Sequence, residues 1–194
     1  MSRSVYLAGP DVFFADAAAL FEGKKRLCAE FGFVGNSPLD DTIDPAPGET
    51  LSQFSRRIYA GNVDMINRSD FGVFNLTPFR GPSADAGTAF ELGLMTGLGK
   101  PVFGYTNIAG DYADRIAPKQ AASGGATGWR DENGWAVENF ANADNLMLDS
   151  SVEANGAPIV RQGVALVERF RDLTAFRTCL AQATEYFARR DGGL

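Results

Sequence analysis

The fold is decided by residues 71–106, FGVFNLTPFRGPSADAGTAFELGLMTGLGKPVFGYT. FGVFNL (71–76) is a short apolar run typical of a buried strand, and a loop rich in proline and glycine follows it. GTAFELGLMTGLGK (87–100) has the apolar content and the late glycine of a helix, and PVFGYT (101–106) predicts another strand. Strand, helix and strand in this order predict a parallel βαβ unit with a right-handed crossover.

The rest of the chain extends this alternation. Further strands are expected in three apolar segments: 4–9, 32–38 and 145–152. Further helices are expected in three segments, the last forming one or two helices: 16–31, 50–68 and 159–189. We therefore predict a single α/β domain over residues 1–194, with a parallel sheet covered by helices on both faces. Residues 107–143 are long for a connection and are expected to form a lid or an insertion.

Composition and charge exclude several classes of function. The chain has 194 residues, a formal net charge of −6 and no histidine. The negative charge disfavours nonspecific binding to nucleic acid or to anionic membranes. The absence of histidine excludes catalytic triads that contain imidazole and metal sites that need it. Acid–base or nucleophilic chemistry therefore falls to other side chains, and no spacing typical of a calcium loop is present.

No segment suggests export or a membrane span. The N-terminus passes directly into the first expected strand, without the features of a signal peptide, and no apolar run is long enough for a transmembrane helix. Cys28 and Cys179 lie in helix-like surroundings, where each is expected to be a small buried apolar residue. We expect a cytoplasmic protein.

Glu91 is the most informative candidate, and two interpretations of it are open. The sequence from Thr88 to Glu91 fits a capping box, in which the glutamate only supports a helix start. Alternatively, a carboxylate in a first helical turn has a lowered pKa and stays ionised, as a nucleophile should. The loop that precedes it follows a strand's carboxyl end, where parallel sheets bind ligands.

Four other residues each allow a structural and a functional interpretation. Asp85 is expected to cap the helix or to share a pocket with Glu91, since paired carboxylates are typical of glycosyl transfer. Asp64 is expected on a helix face away from the apolar residues. Tyr6 is expected in the core, where its hydroxyl needs a partner, and Gly9 begins a tight turn that allows a ligand to approach the backbone.

Four segments together resemble the nucleoside 2-deoxyribosyltransferase family, and they occur in the expected order over most of the chain. They are VYLAGP near the start, NVDMINRSD, NLTPFRGPSADAGTAFELG and DNLML. The most specific match is PFRGP followed by an aspartate and GTAFELG, because both acidic residues fall in register. The resemblance implies a flavodoxin-like fold and cleavage of the N-glycosidic bond of a 2′-deoxynucleoside.

The resemblance also implies roles for individual residues. Glu91 would attack C1′ to form a covalent deoxyribosyl-enzyme, and Tyr6 would orient it. Asp64 and Asp85 would contact the nucleobase and the sugar, one of them protonating the departing base. Asn145 and Met147 are implied to belong to the pocket of a neighbouring subunit. Asn145 would bind a sugar hydroxyl there and Met147 would line it.

The implied partners are deoxynucleosides, free nucleobases and further copies of the chain, in an oligomer assembled from dimers. Neither a metal nor an organic cofactor is implied. Two alternatives remain open. The first is a hydrolase that uses the same glutamate on deoxynucleosides or their 5′-monophosphates. The second is a noncatalytic module that binds nucleosides.

Overall fold

The computed structural model describes residues 2–41, 43–116, 120–121, 128–154 and 157–192. Its strands, numbered in chain order, are β1 (Ser4–Ala8), β2 (Val34–Asn36), β3 (Phe71–Asn75), β4 (Val102–Thr106), β5 (Gln120–Ala121), β6 (Trp129–Arg130) and β7 (Val160–Arg161). Its α-helices are α1 (Ala17–Glu30), α2 (Leu51–Arg68), α3 (Ala86–Gly97), α4 (Leu146–Glu153) and α5 (Thr174–Asp191). Short 3-10 helices lie at Pro10–Phe13, Tyr112–Arg115 and Leu166–Glu168.

Five strands form one parallel sheet in the order β2-β1-β3-β4-β7. The connections run from β1 to one edge and from β3 to the other, which is the flavodoxin-like arrangement. The predicted α/β fold is therefore confirmed. β5 and β6 pair antiparallel to each other, apart from this sheet.

Side chains alternate between the two faces of the sheet, because successive residues of a strand point in opposite directions. Val5 and Leu7 of β1 join the core formed with α1 and α5. Tyr6 and Ala8 join a second core, which includes residues of α2, α3 and α4. Each face therefore has its own apolar cluster. Cys28 and Cys179 are both free and buried, as expected from the sequence.

One predicted strand is wrong. Residues 146–152 belong to helix α4 and Asn145 is its N-cap, because the Asn145 side chain accepts a hydrogen bond from the Met147 backbone N–H and begins the helix there. The fifth strand of the sheet is instead the two-residue β7. The segment 159–189 accordingly contains that strand, a 3-10 turn and a single α-helix, α5.

The long segment 107–143 contains a 3-10 turn and the pair β5 and β6. Its residues 117–119 and 122–127 lie outside the described residues. No helix in the described ranges is long and apolar enough to cross a membrane.

Candidate active site

A cavity of about 450 Å³ opens at the carboxyl ends of β1 and β3. Its wall comes from the turn after β1, the loop after β2, one face of α2 and the start of α3. This is where the two connections of the sheet diverge, which is the usual ligand position in such folds. The size suits a small organic molecule.

The wall of the cavity contains Glu91, whose carboxylate is hydrogen-bonded to a buried tyrosine. The buried Tyr6 hydroxyl donates a 2.7 Å hydrogen bond to Oε1 of Glu91. Tyr6 points from β1 toward α3, and Glu91 lies between it and the cavity. Strand β1 and helix α3 therefore hold the carboxylate on the side away from the cavity, and its other side is accessible from the cavity.

Burial determines the protonation of this pair. Loss of solvent is the largest influence on Glu91 and raises its pKa to about 7, despite the hydrogen bond from Tyr6, which acts in the opposite direction. The negative charge of Asp85 raises the pKa further. Burial, followed by the charge and hydrogen bond of Glu91, raises the pKa of Tyr6 far above its usual value. Tyr6 therefore stays protonated and remains a donor.

The expectation of a lowered pKa at Glu91 is wrong, and the structure gives the reason. Asp85 is the N-cap of α3, and its Oδ2 accepts from the backbone N–H of Thr88 at 3.1 Å. The capping box expected at Thr88 is therefore absent. Glu91 lies in the second turn of α3, beyond the exposed helix start, and desolvation outweighs any help from the helix dipole.

Asp85 combines the two interpretations that the sequence left open. Its Oδ2 also lies 3.3 Å from the Thr88 hydroxyl, and both residues line the cavity with Glu91. A helix cap thus holds this carboxylate at the cavity wall. Two carboxylates in one cavity, one of them with a raised pKa, are equipment for acid–base or glycosyl chemistry.

Gly9 lines the cavity where no larger residue would fit. Its φ of 155° disfavours other residues, and an added Cβ would lie 2.3 Å from Oδ2 of Asp11 and 2.6 Å from Cβ of Asn75. Below it, Asp11 forms a 2.9 Å ion pair with Lys24 and accepts a 3.2 Å hydrogen bond from Asn75. Both charged side chains are at least 98% buried. The turn after β1 is therefore fixed from beneath.

Asp64 does not lie in the cavity. Its side chain is 75% exposed and is 3.8 Å from Arg68, one turn further along α2. The cavity is lined instead by Asn62, together with Ile58 and Met65. Positions 58, 62 and 65 share one helix face, and this spacing is the sequence signal that would have identified Asn62.

Asn145 and Met147 also lie outside the cavity lining. The Asn145 amide donates to Oε1 of Glu138 at 2.9 Å, while its oxygen caps α4. Met147 is 67% exposed. The structure thus brings Tyr6, Gly9, Asp85 and Glu91 together within one chain, and leaves Asp64, Asn145 and Met147 outside this group.

The charged residues of the described lining are all acidic. Asp41, Asp85 and Glu91 contribute carboxylates, and the described lining residues include no lysine or arginine. Across the residues that the structure describes, no group of three or more histidine, cysteine or carboxylate side chains could hold a metal ion.

Fold and site together define a flavodoxin-like α/β protein with a tyrosine-bound carboxylate in a ligand-sized cavity. Residues 5–147 match the sequence profile of the family described as nucleoside 2-deoxyribosyltransferase. The chain therefore belongs to the nucleoside 2-deoxyribosyltransferase family.

The chain is similar to one solved 2-desoxiribosyltransferase and to two proteins whose names give no activity. A 2-desoxiribosyltransferase from Leishmania mexicana is 26% identical, with a TM-score of 0.68, over 94% of this chain and 97% of its own. An uncharacterised protein of Schizosaccharomyces pombe, C191.05c, is 32% identical in an alignment that covers 86% of this chain and 84% of its own length. A conserved protein from Enterococcus faecalis V583 is 19% identical, with a TM-score of 0.55, and shows the same fold over 94% of this chain and 99% of its own.

Proposed function

We propose that this protein transfers 2-deoxyribose between nucleobases, through a covalent intermediate on Glu91 with net retention of configuration. The observation that supports this most directly is the 2.7 Å hydrogen bond from Tyr6 to Glu91 at the cavity wall. In the first step a Glu91 oxygen bonds to C1′, the C1′–N bond breaks, and its electron pair leaves with the base. In the second step another base attacks C1′ and displaces the glutamate.

Glu91 and Asp85 have different roles in this proposal. With a pKa of about 7, Glu91 is about half ionised in neutral solution, and its anion can stabilise an oxocarbenium-like transition state. The Tyr6 hydroxyl favours the anion by donating to it. Asp85, already at the cavity wall, is the residue we assign to proton transfer with the base: it passes a proton from solvent to the departing base, and in the second step it takes a proton from the incoming base.

A nucleoside fits the cavity better than a nucleotide does. Three carboxylates line it, of which Asp41 is ion-paired with Arg68, and the described lining itself contains no lysine or arginine that would pair with a phosphate. A 5′-monophosphate would therefore meet repulsion in a partly desolvated site. We assign the uncharged deoxynucleoside as the substrate and the free nucleobase as the second reactant.

Contacts to the base and the sugar follow from which residues reach the cavity. We assign Asn62 to the nucleobase, in the role that the resemblance implied for Asp64, because the Asn62 amide can both donate and accept. Asn145 and Met147 are assigned to the cavity of a second copy, in agreement with the exposure of Met147. This requires a homo-oligomer with shared sites.

Base exchange with deoxyinosine tests the proposal. We expect deoxyadenosine and hypoxanthine when adenine is added, separated by chromatography. Equal release of hypoxanthine with and without adenine would instead identify the hydrolase alternative. A protein that binds deoxyinosine but releases no base would be the noncatalytic module. Deoxyinosine 5′-monophosphate, run in parallel, tests the preference for a nucleoside.

Mass spectrometry tests the nucleophile. The wild type, quenched during turnover without an acceptor, should contain a peptide that includes Glu91 and one deoxyribosyl group. The Glu91→Ala variant should lack that adduct and its turnover. Asp64→Asn is the matched control, because this exposed carboxylate lies on the adjacent helix outside the cavity. An adduct that persists in Glu91→Ala would overturn the assignment.

A further inference from the structure

Asp144 joins two segments that contain candidate site residues. Its Oδ1 accepts hydrogen bonds from the Ser83 hydroxyl and, at 2.7 Å, from the backbone N–H of Asn145. Its Oδ2 accepts from the backbone N–H of Ala84 at 2.9 Å. Asp85 follows Ala84 directly, so one buried carboxylate fixes the residues beside both Asp85 and Asn145.

Arg115 extends this connection into the long segment after β4. Its guanidinium lies 3.8 Å from Oδ2 of Asp144, and only 12% of its side chain is exposed. Nε donates to the carbonyl of Pro82 at 2.6 Å, while the two terminal nitrogens donate to Ala143 at 2.5 Å and to Gly110 at 3.2 Å. One side chain therefore connects three backbone segments. The guanidinium suits this role because it is planar and has five N–H donors.

We propose that Asp144, with Arg115, is a positioning residue for the transfer reaction: it holds Asp85 for the cavity of its own chain and Asn145 for the cavity of the second copy. This role rests on the proposed function, because it acts through the residues assigned there. It also gives the segment 107–143 a purpose, since the 3-10 turn Tyr112–Arg115 supplies the arginine that supports the loop before α3.

The chemistry of Asp144 explains why a neutral amide cannot replace it. A carboxylate accepts on both oxygens, and Asp144 uses both, for three donors in all. In Asp144→Asn, one of those positions becomes an NH₂ group, which faces a backbone N–H from either Ala84 or Asn145. The contact becomes repulsive, and one of the two segments must move.

The experiment compares two ion pairs that involve the segment 107–143. Asp144→Asn and Arg115→Lys alter the proposed pair, and lysine keeps the charge while losing the forked geometry. Asp111→Asn is the matched control, because Asp111 precedes the same 3-10 turn but pairs with Arg161 at 2.6 Å and not with Asp144. For each we would measure kcat and KM for deoxyinosine and adenine. The burst of hypoxanthine release counts competent sites.

We expect kcat per competent site to fall by about 10–100-fold in Asp144→Asn, since a misplacement of about 1 Å has effects of this size. Arg115→Lys should fall between this variant and the wild type, and Asp111→Asn should stay within about twofold. A loss explained fully by fewer competent sites would overturn the positioning role. The role would also be overturned if the wild type is active and Asp144→Asn has the same kcat per competent site. A wild type without base exchange would refute the proposed function and this role together.

Discussion

Replacing Glu91 by glutamine should make the protein more stable at alkaline pH while abolishing transfer. Glutamine has nearly the same shape, and its oxygen can still accept the hydrogen bond from Tyr6. Burial raises the pKa of Glu91 from an ordinary 4.5 to about 7, so the folded protein holds a proton that the unfolded chain has already released. The stability that this gives is complete below pH 4.5 and is lost as the pH rises through 7.

The size of the effect follows from that shift. A difference of about 2.5 pKa units, at about 1.4 kcal/mol each, corresponds to about 3 kcal/mol. The amide does not titrate, so the free energy of unfolding of Glu91→Gln should gain about 3 kcal/mol on the wild type between pH 4 and pH 8. For a chain of this length, that corresponds to about 6–12 °C in Tm.

Urea unfolding at pH 4, 6 and 8 measures this difference directly. Glu185→Gln serves as the control, because it makes the same substitution on α5 at a carboxylate that is 73% exposed, where no gain of this size is expected. Equal stability of Glu91→Gln and the wild type at pH 8, after subtraction of their difference at pH 4, would refute the reasoning. It would mean that Glu91 ionises in the folded protein as easily as in water.

Three further predictions follow from the site and the core. In Tyr6→Phe the hydrogen-bond donor to the Glu91 carboxylate is lost, so kcat/KM at pH 7 should fall about 10–100-fold. In a pH–rate profile, the increase of kcat/KM should occur at a higher pH than in the wild type. In Asn62→Ala the KM for the acceptor base should rise about tenfold, whereas Asp64→Ala should leave steady-state kinetics within about twofold. Lys24→Met leaves a buried aspartate unpaired and should lower the free energy of unfolding by about 3–5 kcal/mol in urea titration, while a loss below 1 kcal/mol would argue against the buried pair.

The sequence predicted the parallel sheet because its central strands are apolar and separated by helical segments. It failed at the edge of the sheet, where β7 has two residues and no recognisable pattern. The apolar residues 146–148 suit a strand or a helix equally, and the hydrogen bonds at Asn145 decide for the helix. Such capping depends on local geometry that composition does not specify.

Within the site, the sequence predicted the identity of several residues but not their burial or pKa. Tyr6 and Glu91 are distant in sequence, and the resemblance paired them before the structure gave their hydrogen bond. The pKa of Glu91 could not be predicted, because it depends on desolvation and not on the position of the residue in a helix. Asp64 and Asn62 are two positions apart, which turns a helix by about 200°, so one faces solvent and the other the cavity.

The alternation of side chains in β1 has a practical consequence for protein engineering. Tyr6 faces α2 and α3, while Val5 and Leu7 face the opposite layer, which contains α5. Substitutions among the buried positions of α5, such as Ala183, are therefore separated from the Tyr6 hydroxyl and Glu91 by the thickness of the sheet. A library aimed at thermostability belongs in that layer, and one aimed at the nucleobase contact proposed for Asn62 belongs on the cavity face of α2.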